Sequence, residues 1–262
     1  MLKLLKYEWK ACARICLPLY GVLILMSLIS RILYVIPKNA SLDFMLPAIS
    51  SMLYMGVMMA AFVVTAVILI QRFYKNLLGS EGYLMFTLPV TVTQHLFSKT
   101  IIAVVMIALS GLSALISIGI FADMSFGALF VDMIKGVAQS GGLLFGLELL
   151  VLAVLGIAGM ALFVYLCIAL GHLASRHRLL MSIVWYVVLS TVLQVLLLMV
   201  MMGAGNAVPQ PFVDLMKVWW VGITPIGAAH LMLRFSCAAA LIGDAVYFLV
   251  TRWILVHKLN LE

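Results

Sequence analysis

Residues Leu143–Leu170 read LLFGLELLVLAVLGIAGMALFVYLCIAL, a run whose single charge is Glu148. At about 1.5 Å of rise per residue, a helix of this length exceeds the roughly 30 Å of hydrocarbon in a bilayer. A barrel strand would be about ten residues long and would alternate strictly between apolar and polar positions, which this run does not do. It reads as a membrane-crossing helix. Five more runs of this kind lie near Ile15–Ile36, Pro47–Ile70, Thr100–Ala122, Leu179–Met202 and Phe235–Val256. The expected fold class is therefore all-α integral membrane, with six transmembrane helices forming one domain over residues 1–262.

Composition points the same way. The 262 residues are 66% hydrophobic and 10% charged, with a mean hydropathy of +1.25. Soluble domains run at roughly 45–50% apolar and about 25% charged, because a water-facing surface must be covered with polar groups. This excludes a soluble enzyme and a disordered chain. The excess of Lys+Arg 16 over Asp+Glu 9 reads as a topology signal with some attraction to anionic lipid heads, not as nucleic-acid binding. Cys12, Cys16, Cys167 and Cys237 have neither disulfide-framework nor zinc-ligand spacing.

Orientation follows from the basic residues. Lys3, Lys6, Lys10, Arg14, Arg72, Lys75, Lys99, Arg176, Arg178, Arg252 and Lys258 fall on one side of the six runs. Only Arg31, Lys38, Lys135, Lys217 and Arg234 fall on the other. By the positive-inside rule both termini are cytoplasmic. The first run is too long for a signal-peptide core and carries Arg31, so it reads as a retained helix. Ahead of it, residues 1–14 form an amphipathic segment. Lys3, Lys6, Lys10 and Arg14 cluster within about 80° of a helical wheel, opposite Leu5, Trp9, Cys12 and Cys16. The expectation is an elbow helix lying in the cytoplasmic headgroup layer, which turns into the first span near Pro18. Residues 203–234, with prolines at 209, 211 and 225, read as an outer surface or re-entrant segment.

The longest cytoplasmic connection, residues 71–99, has its own punctuation. Gly79 and Gly82 bracket Ser80 and Glu81, Pro89 interrupts any helix, and Thr91 with Gln94 forms a capping box for the next helix. Between them Gly82–Leu88 is apolar and aromatic, suited either to fold back on the helices or to fill a partner's groove. The stretch EGYLMFTLPVTVTQHLFSK, Glu81 to Lys99, resembles the Tyr-x-x-x-Thr-Leu-Pro-Val…Ser-Lys loop of bacterial ABC-2-type transporter permeases. It departs from that pattern at Val92, where related loops often carry a basic residue. The resemblance implies a type V exporter-like architecture in which this loop holds the coupling helix. Glu81, Tyr83, Phe86 and Leu88 would then engage separate ABC ATPase subunits. It also implies a bacterial plasma-membrane location and a second permease, either another copy or a relative. No G-x-x-x-x-G-K-[ST] phosphate loop occurs in the chain, so ATP and Mg are expected in the partner and no cofactor in this chain.

Charge inside a membrane is costly, at roughly 2.5–3.5 kcal/mol near a helix centre, and marks candidate sites. Asp244 lies ten residues from Arg234 and eight from Arg252, near the midplane of the sixth run. It would line a substrate route or couple to protons; alternatively it is a packed carboxyl bonded to Gln194 or Thr191. Glu148 precedes His172 by 24 residues, about 36 Å of helix, and so belongs at the outer interface. His230 and Arg234 form an i, i+4 pair at the outer face. Asp244, Glu148, Gln194 and Arg234 are thus the intramembrane or substrate-path candidates. Ser110, Ser113 and Ser117 have the spacing of a close-packed helix face. No catalytic dyad and no metal-ligand set can be assembled at one depth. The expected function is the membrane subunit of an ATP-driven exporter of a hydrophobic or amphipathic substrate, such as a peptide antibiotic, a lipid or a drug. The alternatives are the substrate-capturing subunit of an energy-coupled importer and an intramembrane hydrolase.

Overall fold

A computed structural model describes residues 2–35, 45–75, 91–122, 131, 135–136, 142–174, 177–206 and 225–257. Among them are six long helices: α1 (Leu2–Val35), α2 (Met45–Phe73), α3 (Val92–Phe121), α4 (Leu143–Gly171), α5 (Arg178–Asn206) and α6 (Pro225–His257). All six are long and apolar enough to cross a membrane, which makes the chain a multi-pass membrane protein.

The helices extend past the apolar runs that announce them. Backbone hydrogen bonding does not stop where side chains become polar; it stops where a cap or a breaker ends it. At α3 that device is visible. The Thr91 hydroxyl accepts from the Gln94 N–H at 3.4 Å, and the Gln94 side-chain oxygen accepts from the Thr91 N–H. The expected capping box is present. At the other extreme, the turn expected near Pro18 is absent, because α1 runs on through that proline. Residues 2–14 are therefore the first part of α1, not a separate elbow. Pro18 removes only one backbone donor, that for the Arg14 carbonyl. Burial carries the helix across this defect, since Cys12 and Cys16 before it and Tyr20 and Leu23 after it share one buried stripe. Residues 203–206 and 225–234 of the proposed outer segment belong to α5 and α6, and residues 207–224 lie outside the described residues.

The chain divides into two compact units, Met1–Ala138 and Gln139–Glu262. In the first, α2 runs antiparallel to α1, with Glu8 against Arg72 near one end and Ser30 against Ser50 near the other. Helix α3 runs parallel to α1, with Glu8 meeting Lys99 and Arg31 meeting Ile120. Leu23, Tyr54 and Ala61 form a buried core that Leu19, Val57, Met58 and Phe121 complete.

The second unit has the same internal order. Helix α6 runs parallel to α4, as the Glu148–Arg234 contact and the Leu166, Ala169 and Ile254 core show. Helix α5 runs antiparallel to α4: Ser182 sits against Gly171, and the Tyr186 ring meets Phe163 edge-on at 5.6 Å. A Cβ at Gly171 would come within 2.6 Å of the Ser182 Cα. Only glycine permits that crossing. In each unit the first and third helices are parallel neighbours, and a glutamate near the start of the first pairs with a base near the start of the third.

Candidate functional site

The first unit carries charge where its sequence looked merely amphipathic. Glu8 lies on the Cys12–Cys16 side of α1 and is buried, 7% exposed at the side chain. Its two carboxylate oxygens serve different helices. Oε2 accepts from Arg72 Nη1 at 2.8 Å, in the last turn of α2, and Oε1 accepts from Lys99 Nζ at 2.9 Å, on α3. Lys99 is 4% exposed and also donates to the Arg72 carbonyl at 3.3 Å. Taking such groups out of water is expensive, and the cost is met only when each retains charged and hydrogen-bonded partners. Here every charge has one.

The position of the triad matters more than its energy. Arg72 and Lys99 are the stems of the connection that holds Glu81, Tyr83, Phe86 and Leu88. Those four residues lie outside the described residues. The stems themselves are tied to each other and to α1.

Further along this unit, polar side chains pair between helices. The Tyr20 hydroxyl lies 3.0 Å from Thr65 Oγ1 and 3.2 Å from the Met106 carbonyl oxygen, and Tyr54 lies 2.9 Å from Ser117. Ser30 donates to the Ser50 carbonyl and Arg31 to that of Ile120. Ser110, Ser113 and Ser117 are buried and donate to the carbonyls of Ile107, Ser110 and Ala114 one turn earlier. Small hydroxyl residues satisfied within their own helix allow close packing without leaving a polar orphan.

In the second unit Glu148 accepts from Arg234 Nε at 2.7 Å and lies 2.5 Å from His230 Nδ1. The Phe145 ring meets His230 edge-on at 5.5 Å. Glu148 is 15% exposed and Arg234 68%, so the arginine head reaches outward from a shielded carboxylate.

Of the four intramembrane candidates, the structure brings Glu148 and Arg234 together and adds His230 to them. It does not bring Gln194 to Asp244. Gln194 is exposed on α5, and Thr191 donates to the Val187 carbonyl. The Asp244 carboxylate instead faces the backbone of Gly159 on α4, and its Oδ2 is shielded with no hydrogen-bond partner among the described residues. Among the described residues, no three His, Cys, Asp or Glu side chains are placed to hold a metal ion.

Sequence reasoning missed the Glu8–Arg72–Lys99 triad. Arg72 entered it only as a counter of orientation, and Lys99 as that and as the last residue of the loop motif. The available signal was Glu8, the one acid in the first sixteen residues, placed off the basic row and one turn before Cys12. Compared with protein-family models, with curated proteins and with solved structures, the chain gives no match.

Proposed function

We propose that this chain is the membrane-spanning permease subunit of an ATP-binding cassette exporter of ABC-2 type, acting with separate ATPase subunits and a second permease. The observation that carries the reading is the grip on the loop between α2 and α3. The loop bears the Tyr83…Pro89-Val90 motif, and its stems are joined through Glu8 to α1. A displacement imposed on such a loop passes into the helices instead of being absorbed at a slack hinge. In this reading Tyr83, Phe86 and Leu88 fill a groove on the ATPase and Glu81 orients the contact at its rim. ATP-driven closure of the partners then moves α2 and α3 together with α1.

The positive-inside count supports a cytoplasmic position for both termini and the loop, and the resemblance to ABC-2 permeases supports a bacterial plasma membrane. Asp244, a carboxylate deep in α6, is the candidate for the substrate path. The substrate class is a hydrophobic or amphipathic molecule, in keeping with the apolar exposed faces of α5 and α6.

The test is the double substitution Tyr83→Ala with Phe86→Ala. It is expected to leave the protein inserted and monodisperse while weakening ATPase co-purification and abolishing transport. A monodisperse double variant that keeps full stimulated hydrolysis and transport removes the loop from the mechanism.

A further inference from the structure

We propose that the start of α1 holds an anionic phospholipid, with the phosphate on Lys10 and Arg14 and an acyl chain laid along Ala13, Leu17 and Pro18. These residues, with Lys6 and Trp9, line a surface groove of about 560 Å³. Its chemistry changes along the helix axis. Lys6, Lys10 and Arg14 recur every four residues and are all exposed, so they form one stripe of positive charge. Ala13, 7% exposed, makes the floor, because its neighbours project past its single methyl group. Leu17 and Pro18 extend the groove into the apolar part of the helix, where Val22 and Leu25 are exposed in turn. Lys6 to Pro18 covers about 18 Å, which fits a headgroup followed by the first part of an acyl chain.

Two features point to a lipid and not to the general attraction of any basic surface. First, the acid nearest in sequence, Glu8, is turned to the opposite side of α1 and held by Arg72 and Lys99, so no carboxylate among the described residues lines the groove. Second, that same triad fixes the rotation of α1. A free amphipathic helix would roll its apolar face toward the lipid. Here that face is committed to α2 and α3, and the basic stripe is left facing outward beside an apolar slot. Trp9, half-buried at the rim, supplies the amphipathic ring that favours a headgroup boundary.

The experiment reads Trp9 directly. Purified full-length protein in neutral detergent is titrated with phosphatidylglycerol or phosphatidylcholine carrying brominated acyl chains, which quench tryptophan on contact. The Trp9 signal is obtained by difference from Trp9→Phe. The expected result is half-quenching at about 25-fold lower mole fraction for phosphatidylglycerol than for phosphatidylcholine, since each of the two basic groups near the lipid phosphate contributes about a factor of five. Lys10→Gln with Arg14→Gln should erase that preference. Lys75→Gln with Arg178→Gln removes the same charge elsewhere and should keep it. Circular dichroism and gel filtration establish that each variant is folded. Equal quenching by the two lipids, or equal loss of preference in both variant pairs, would overturn the site in favour of diffuse electrostatics. Relief of quenching by millimolar inorganic phosphate alone would overturn the assignment to a lipid in favour of a soluble anion.

Discussion

Replacing Glu8 by glutamine should be among the most damaging single changes in the first unit, although it alters one functional group near the chain start. At 2.8 Å and 2.9 Å, and with an effective dielectric of about 20, each attraction to Glu8 is worth on the order of 6 kcal/mol before desolvation is counted. The amide keeps the shape but cancels both attractions, leaving a buried Lys99 beside Arg72. The expected net loss is about 3–4 kcal/mol, within the range for removing one partner of a buried ion pair. Lys99→Met should cost far less, about 1 kcal/mol, because Glu8 keeps Arg72 and a buried cation no longer has to be desolvated. Glu8→Leu with Lys99→Leu should recover most of the single-variant loss, since Arg72, 28% exposed, can turn toward water. The assay is the melting midpoint in one detergent, followed by fluorescence-detected gel filtration. Glu8→Gln is expected to fall on the order of 5–10 °C below the parent, with the double variant well above it. A Glu8→Gln midpoint within 1 °C of the parent, or a double variant as labile as the single, would show that the buried triad does not hold these helices together.

Further expectations follow from single contacts. Gly171→Ala should cost about 2–3 kcal/mol in melting assays, because the new methyl meets Ser182 backbone, whereas Gly156→Ala, which meets nothing within 4 Å, should be neutral. Gly159→Ala should destabilise by about 1–2 kcal/mol, and Asp244→Ala in the same chain should rescue it, because the obstacle is the Asp244 carboxylate. Tyr20→Phe should cost about 1 kcal/mol for the lost hydroxyl bonds to Thr65 and Met106. Arg234→Ala should change the midpoint by less than the equivalent of 1 kcal/mol, since that head is mostly in solvent, and Glu148→Ala by more, since it removes the acceptor of both His230 and Arg234.

What could be read in the sequence was what depends on neighbours along the chain. Hydropathy located all six helices, and the Thr91–Gln94 spacing located the start of α3, because both signals are local. The helix ends were misjudged where polarity and helicity part company, at residues 2–14 and 225–234. The elbow at Pro18 failed for a related reason. A proline predicts a break only if nothing packs on either side of it, and Cys12, Cys16, Tyr20 and Leu23 all pack. The ion clusters were out of reach because Glu8 is separated from Arg72 by 64 residues and from Lys99 by 91. Helical rise assigns Glu148 to the outer boundary and the count of basic residues assigns Arg234 to the same side, yet only the parallel packing of α4 and α6 pairs them. Counting basic residues for orientation treats them as interchangeable, and that hides which one is buried.

In the proposed function this chain transmits work done by a separate ATPase. Affinity purification of the tagged full-length chain from its native membrane, with identification of co-purifying chains and measurement of ATP hydrolysis, addresses it most directly. The expected result is an ABC ATPase in equal stoichiometry with the permease chains, and hydrolysis that is lost when Tyr83 and Phe86 are both alanine. A pure, folded chain that brings down no ATPase and supports no hydrolysis would contradict it.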